Sequence, residues 1–220
     1  MWSDLVDEQG LKNIFTQRGS ENAVKTYADL IRNADKRVWA IGMTNRHFLR
    51  QHTHTLLEGL KTKDLDVVIS FWNPSATLRV PLEDASEDAQ TERSIIEVQA
   101  TLEQGASPNT DWANLVAEVE LEFIKRLDEL PSIAGQVKIL HCSHTSNFTC
   151  LVIDTDLFFF PFLDGTDSTN DPIIHCQTTR GIGRRIELHL SGLIPRSTFC
   201  DLIYHRVHHE TRVNRIKLNR

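Results

Sequence analysis

The chain has 220 residues, with 24 lysines and arginines against 30 aspartates and glutamates and a formal charge of −6. That length suits one domain, or a domain with a small appendage. A composition 40% hydrophobic and 25% charged is ordinary for a globular chain and excludes wholesale disorder. No apolar run approaches the roughly 18–20 residues needed to cross a bilayer. The longest, over 157–163, is interrupted by Pro161, so a membrane-spanning protein is not expected.

The first residues carry Asp4, Asp7 and Glu8 where a secretory signal would carry bases, so a cytoplasmic location is expected. The four cysteines, Cys142, Cys150, Cys176 and Cys200, form no C-x-x-C pair and read as reduced, small core residues. Charge is uneven. Residues 83–129 hold thirteen acids against three bases, whereas 196–220 hold six bases against two acids. Such polarity can steer an anionic ligand or dock one subunit on another.

In chain order, an N-terminal helix is expected over 1–19. Ser20 then reads as the N-cap of a second helix, with Ala23, Val24, Tyr27, Leu30 and Ile31 at three- and four-residue spacing. The run over 37–42 reads as a buried strand, 43–46 as a short polar loop, and 47–60 as an amphipathic helix with Phe48, Leu49, Leu56, Leu57 and Leu60 inward. A second apolar strand over 65–71 is closed by Asn73-Pro74. Helix, strand, helix, strand, with spacers long enough for crossovers, predicts parallel strands in an α/β domain.

The acidic region predicts one helix around 95–102, a break over 105–109, and a further helix capped by Asp111 that runs to Leu127. Short apolar runs at 136–141, 148–154 and 156–162 predict strands, the last two forming a hairpin or consecutive strands, and 172–177 adds another. From Ile182 the spacing of Ile186, Leu190, Leu193, Phe199, Leu202, Ile203 and Val207 predicts two terminal helices, with 196–220 a basic helix and tail.

The segment Asn147-Phe148-Thr149-Cys150-Leu151-Val152-Ile153-Asp154 resembles the His-x-Lys-x4-Asp signature strand of the phospholipase D-like family. Asn147 stands where that family has its His, Thr149 where it has Lys, and Asp154 is in register. The order of elements is also similar. The resemblance implies one phospholipase D-like domain over 1–220, an α/β fold whose mixed sheet is flanked by helices on both faces. It further implies a homodimer, because the family sets two copies face to face.

In active relatives the His attacks phosphorus while Lys neutralises the oxygens. A carboxamide and a hydroxyl can do neither, so the resemblance implies a polar but non-catalytic site, of the kind found in sensor domains and in degenerate copies within bacterial signalling and defence proteins. Its ligand would be small and polar or phosphorylated, bound at the C-terminal edge of the sheet. The candidate lining is Thr44, Asn45, Arg46, Asn73, Asn147 and Thr149, with His144 beside the motif. Arg180 and Arg184 flank Gly181 and Gly183, a set suited to capturing an anion at a helix start. No cofactor or metal is expected.

Two alternatives stay open. One is a phosphodiesterase or nuclease using His144 or His141, with Arg180 or Arg184 neutralising phosphate. The other is nucleic-acid binding through the basic segment from Arg206 to Arg220. On the helix expected there, His205, His208 and His209 share a surface beside Arg206 and Glu210, which reads as a solvated or interface face rather than a metal or phosphate site.

Overall fold

Apolar residues alternate along the central strands, and each parity feeds a different core. The computed structural model describes residues 6, 8–17, 20–42, 45–72, 108–142, 148–161, 172–194, 200–207 and 210–213. Strands β1 (Leu11–Phe15), β2 (Arg37–Ile41), β3 (Asp66–Trp72), β4 (Gln136–Cys142), β5 (Phe148–Ile153), β6 (Asp156–Pro161), β7 (Ile173–Gln177), β8 (Cys200–Val207) and β9 (Glu210–Val213) form one sheet. Its nine strands lie in the order β1-β7-β6-β5-β2-β3-β4-β8-β9. Only β2, β3 and β4 run parallel to one another. Every other pairing is antiparallel, so the sheet is mixed.

Helices α1 (Glu21–Asn33), α2 (Arg46–Thr62) and α3 (Pro108–Asp128) cover one face. There Val38, Ala40, Val67, Ile69, Val137, Ile139 and Phe158 pack with Ala23, Leu56, Leu60, Phe123 and Leu127 in one buried cluster. On the opposite face Trp39, Val68, Leu140, Val152, Leu157 and Cys176 pack with Leu190 of α4 (Gly181–Leu193). Each of the buried Val, Leu, Ile and Phe side chains among these contributes roughly 1.5–3 kcal/mol by leaving water. The expected α/β sheet with helices on both faces is therefore present. No described helix is long and apolar enough to cross a membrane.

Two expectations are corrected. Residues 11–15, assigned to an N-terminal helix over 1–19, form the edge strand β1, antiparallel to β7. Gly10, at φ 68°, lets the chain leave the preceding helical turn in a left-handed conformation. Its bare α-carbon also lies where a Cβ would stand 2.9 Å from Arg180 Cγ.

The terminal helix over 196–220 is likewise absent from the described part of that segment. Residues 200–207 and 210–213 are the antiparallel strands β8 and β9, extending the sheet beyond β4. Three- and four-residue apolar spacing suggested a helix, but β8, with the β-branched and aromatic residues Ile203, Tyr204 and Val207, finds its partner β4 60 and more residues away, and β9 then pairs with β8. Long-range pairing then overrides the local signal. His205 accordingly lies opposite Lys138 in a ladder, not on a helical surface, and 208–209 lie outside the described residues.

Two smaller differences concern the acidic region. Helix α3 starts at Pro108 rather than at an Asp111 cap, because proline at a first helical position forfeits no bond the helix would make. The helix expected around 95–102 lies outside the described residues. The hairpin was read correctly, β5 turning into β6 through Asp154 and Thr155.

Candidate functional site

Strands β2, β3 and β4 end together at Ile41, Trp72 and Cys142, and β5, running the other way, begins at that edge. The register pairs Ile41 with Cys150. Thr149, one residue earlier, is thereby set beside Gly42. A Cβ at Gly42 would stand 2.9 Å from Thr149 Cγ2 and 3.2 Å from Asn45 Oδ1, so glycine is what allows the three chains to close up.

A knot of neutral hydrogen bonds holds this edge. The Gly42 amide donates to Ser70 Oγ at 3.1 Å. Asn45, buried and left-handed at φ 47°, donates its side-chain amide to Ala40 O at 3.0 Å and Ser70 O at 2.6 Å. Both amide hydrogens are thus spent tying β2 to β3, which leaves Asn45 its carbonyl oxygen alone for a ligand. Thr149 is buried, and its hydroxyl makes no hydrogen bond among the described residues. Neither Ser70 nor Thr149 is bonded to an imidazole or carboxylate there. A hydroxyl without such a base is a weak nucleophile.

Below the edge, on the face of α3, His141 Nε2 and Glu120 Oε2 lie 2.6 Å apart. This pair has the form of an imidazole oriented by a carboxylate. Glu120 is missed by sequence reasoning, which sees it only as one acid in an acidic stretch. Ser70 is the other omission, and its signal was available: a single hydroxyl inside the run Val67-Val68-Ile69-Ser70-Phe71.

The remaining candidates divide. Arg46, the first residue of α2, lines a groove between α2 and α3. Thr44, Asn73, His144 and Asn147 lie outside the described residues. Arg180 and Arg184, both exposed, sit at the opposite edge of the sheet, because the Thr178 amide donates to Thr155 O of the β5–β6 turn at 2.9 Å. They are not brought to Thr149. The glycines beside them serve close packing. A Cβ at Gly181 would stand 2.2 Å from Gln9 O, and one at Gly183 2.1 Å from Gln177 O.

Asp154 also lies at that opposite edge, and its role is structural. At φ 50° it turns the hairpin, and its carboxylate accepts from the amides of Asp35 (3.0 Å), Lys36 (2.9 Å) and Arg37 (2.9 Å). It clamps the α1–β2 loop to the sheet.

Nearby, Asp156 Oδ1 meets Lys12 Nζ at 2.6 Å and His175 Nε2 at 2.5 Å. Burial opposes ionisation of Asp156, but the hydrogen bonds from His175 and Lys12 outweigh it and hold the carboxyl below its ordinary range. The buried thiol of Cys150 is pushed well up by burial, and that of Cys176 up to about 11 by burial and then by Asp156. Such thiols are inert core groups, not nucleophiles.

The basic C-terminal segment is also partly used up. Arg206 is buried and donates to Leu127 O, and to Leu130 O at 2.6 Å, capping the C-terminus of α3. Tyr204 Oη donates to Asp128 Oδ1 at 2.8 Å. Arg206 is therefore unavailable to a nucleic acid. Residues 214–220 lie outside the described residues. Among the described residues, no group of three or more His, Cys, Asp or Glu side chains could hold a metal ion.

No family model matches the chain, and no curated protein does. Among solved structures, a phosphatidylserine synthase from Haemophilus influenzae Rd KW20 aligns over 86% of this chain and 38% of its own, at 10% identity and a TM-score of 0.43. An archaeal chromatin protein with a novel mode of DNA binding aligns over 87% of this chain and 57% of its own, at 9% identity and a TM-score of 0.35. The chain spans less than two thirds of the length of either structure.

Proposed function

We propose that this chain is a non-catalytic, phospholipase D-like module that binds a small polar or phosphorylated ligand at the C-terminal edge of β2, β3 and β4. The observation that carries the reading is the setting of Thr149. Its hydroxyl stands among Gly42, Ser70 and the carbonyl of Asn45, neutral groups that can accept and donate hydrogen bonds but cannot attack phosphorus. The module would act as a homodimer in a sensing or protein-interaction role, the ligand shifting the dimer through its different affinity for two arrangements.

Native mass spectrometry of the purified chain tests this. A dimer carrying a small adduct, released by Thr149→Val but not by Arg180→Ala, supports the reading. A bare monomer that takes up no sugar phosphate or nucleotide contradicts it.

A second reading, a phosphodiesterase, has one specific observation in its favour: the 2.6 Å contact between His141 and Glu120. A carboxylate in that position orients an imidazole and fixes its tautomer. Hydrolysis of a phosphodiester that His141→Ala abolishes would select it.

A further inference from the structure

A groove of about 330 Å3 runs between α2 and α3, within the roughly 300–1,000 Å3 range of small-molecule sites. Its floor is apolar, built from the buried Leu49 and Phe123. Its walls are charged, α2 bringing bases and α3 two carboxylates and one base. On α2, Arg46, Arg50 and His54 line it at four-residue spacing, one above the other. On α3, Glu118, Glu122 and Arg126 line it with the same spacing. Glu122 is already neutralised by Arg126 at 2.7 Å on its own helix.

Among the described residues Arg50 and Glu118 form no hydrogen bond or ion pair, and His54 acts electrostatically on Glu58, one turn further along α2. Facing charges that line one cleft without meeting leave room for a molecule that meets both. A guanidinium with an imidazole beside it suits a phosphate monoester, which the planar fork of arginine can grip through two oxygens. A lone carboxylate opposite suits an ammonium. The apolar floor suits the carbon chain between them.

We infer that the α2–α3 groove binds a small zwitterion, an aminoalkyl phosphate, with the phosphate on Arg50 and His54 and the ammonium on Glu118. The site is distinct from the edge around Thr149 and does not rest on the phospholipase D-like reading.

Isothermal titration calorimetry on the full chain tests it with three probes: 3-aminopropyl phosphate, propyl phosphate and inorganic phosphate. The aminoalkyl phosphate is expected to bind about tenfold more tightly than propyl phosphate. Arg50→Ala should weaken both organic probes about tenfold or more, the loss of one charge-assisted grip. Glu118→Gln should erase the preference for the amine while leaving propyl phosphate unchanged. Both substitutions are on the helix surface, and circular dichroism with urea unfolding checks that each variant folds.

Equal affinity for all three probes with no effect of Glu118→Gln would show an unspecific anion site and overturn the inference. Absence of binding by any probe would overturn it too. Loss of binding on Thr149→Val with Arg50→Ala silent would move the ligand to the strand edge and overturn it as well.

Discussion

Replacing Asp154 tests the one residue of the His-x-Lys-x4-Asp pattern that this chain keeps. Its Oδ1 accepts the amides of Lys36 and Arg37, and its Oδ2 that of Asp35. A hydrogen bond to a charged group contributes about 1.5–3 kcal/mol when water is excluded. The Arg37 amide is partly buried, whereas those of Asp35 and Lys36 face solvent, where water replaces much of the loss. Asp154→Ala should therefore cost about 3–4 kcal/mol, one bond in full and the others in part.

Asp154→Gly removes the same carboxylate but relieves the left-handed backbone at φ 50°, worth about 1 kcal/mol, and should cost about 2–3 kcal/mol. Asp154→Asn keeps an acceptor for Lys36 and Arg37 and loses the charge and the Asp35 bond, about 1.5 kcal/mol. Urea unfolding supplies the free energies. Thermal melts should follow, at about 2–4 °C per kcal/mol for a chain of this size. The order Asn, Gly, Ala in rising cost is the signature. Three variants within 0.5 kcal/mol of the parent, or Ala milder than Asn, would refute the clamp.

Three further perturbations follow from particular contacts. His52 is buried, edge-on to Tyr27, with Nε2 unpartnered, and burial lowers its pKa from 6.5. The unfolded chain thus takes up a proton below pH 6.5 that the folded one refuses, so stability is full above that pH and falls as the solution is acidified. Urea midpoints at pH 7.5 and 5.5 should fall less for His52→Leu than for the parent, and parallel losses would contradict the assignment. Gly42→Ala should cost about 1–3 kcal/mol by overpacking, and adding Thr149→Ser, which removes the methyl 2.9 Å away, should restore part of it in a double-mutant cycle. Arg206→Met should cost about 2–4 kcal/mol by baring two carbonyls at the end of α3. If it instead leaves stability intact and weakens retention on nucleic acid, Arg206 is not a cap.

How far the sequence could be read depended on where the deciding partner lay. Helices α1 and α2 and strands β2 and β3 were legible because their periodicities are strong and their neighbours adjacent in the chain. The hairpin of β5 and β6 was legible from two apolar runs separated by almost nothing. β1 and β8 were not, because Leu11, Phe15, Leu202 and Val207 carry spacings compatible with a helix and their partners β7 and β4 stand far away in sequence, and β9 is a strand only because β8 is one for it to pair with. The edge site was half legible. Thr149 and Asn45 could be named from the motif and the loop, yet only the register of β5 on β2 shows that Asn45 has spent its amide on Ala40 and Ser70. Arg180 and Arg184 were grouped with them by chemistry alone, and the direction of β7 places them at the other end of the sheet. The His141–Glu120 contact needed the packing of α3 on the sheet, which no local pattern encodes.

The most direct trial of a binding rather than a catalytic edge is the rate of bis(4-nitrophenyl) phosphate hydrolysis by the purified chain and by its His141→Ala variant. Binding without chemistry predicts that both match the buffer blank. Turnover by the parent that vanishes on loss of His141 would contradict it.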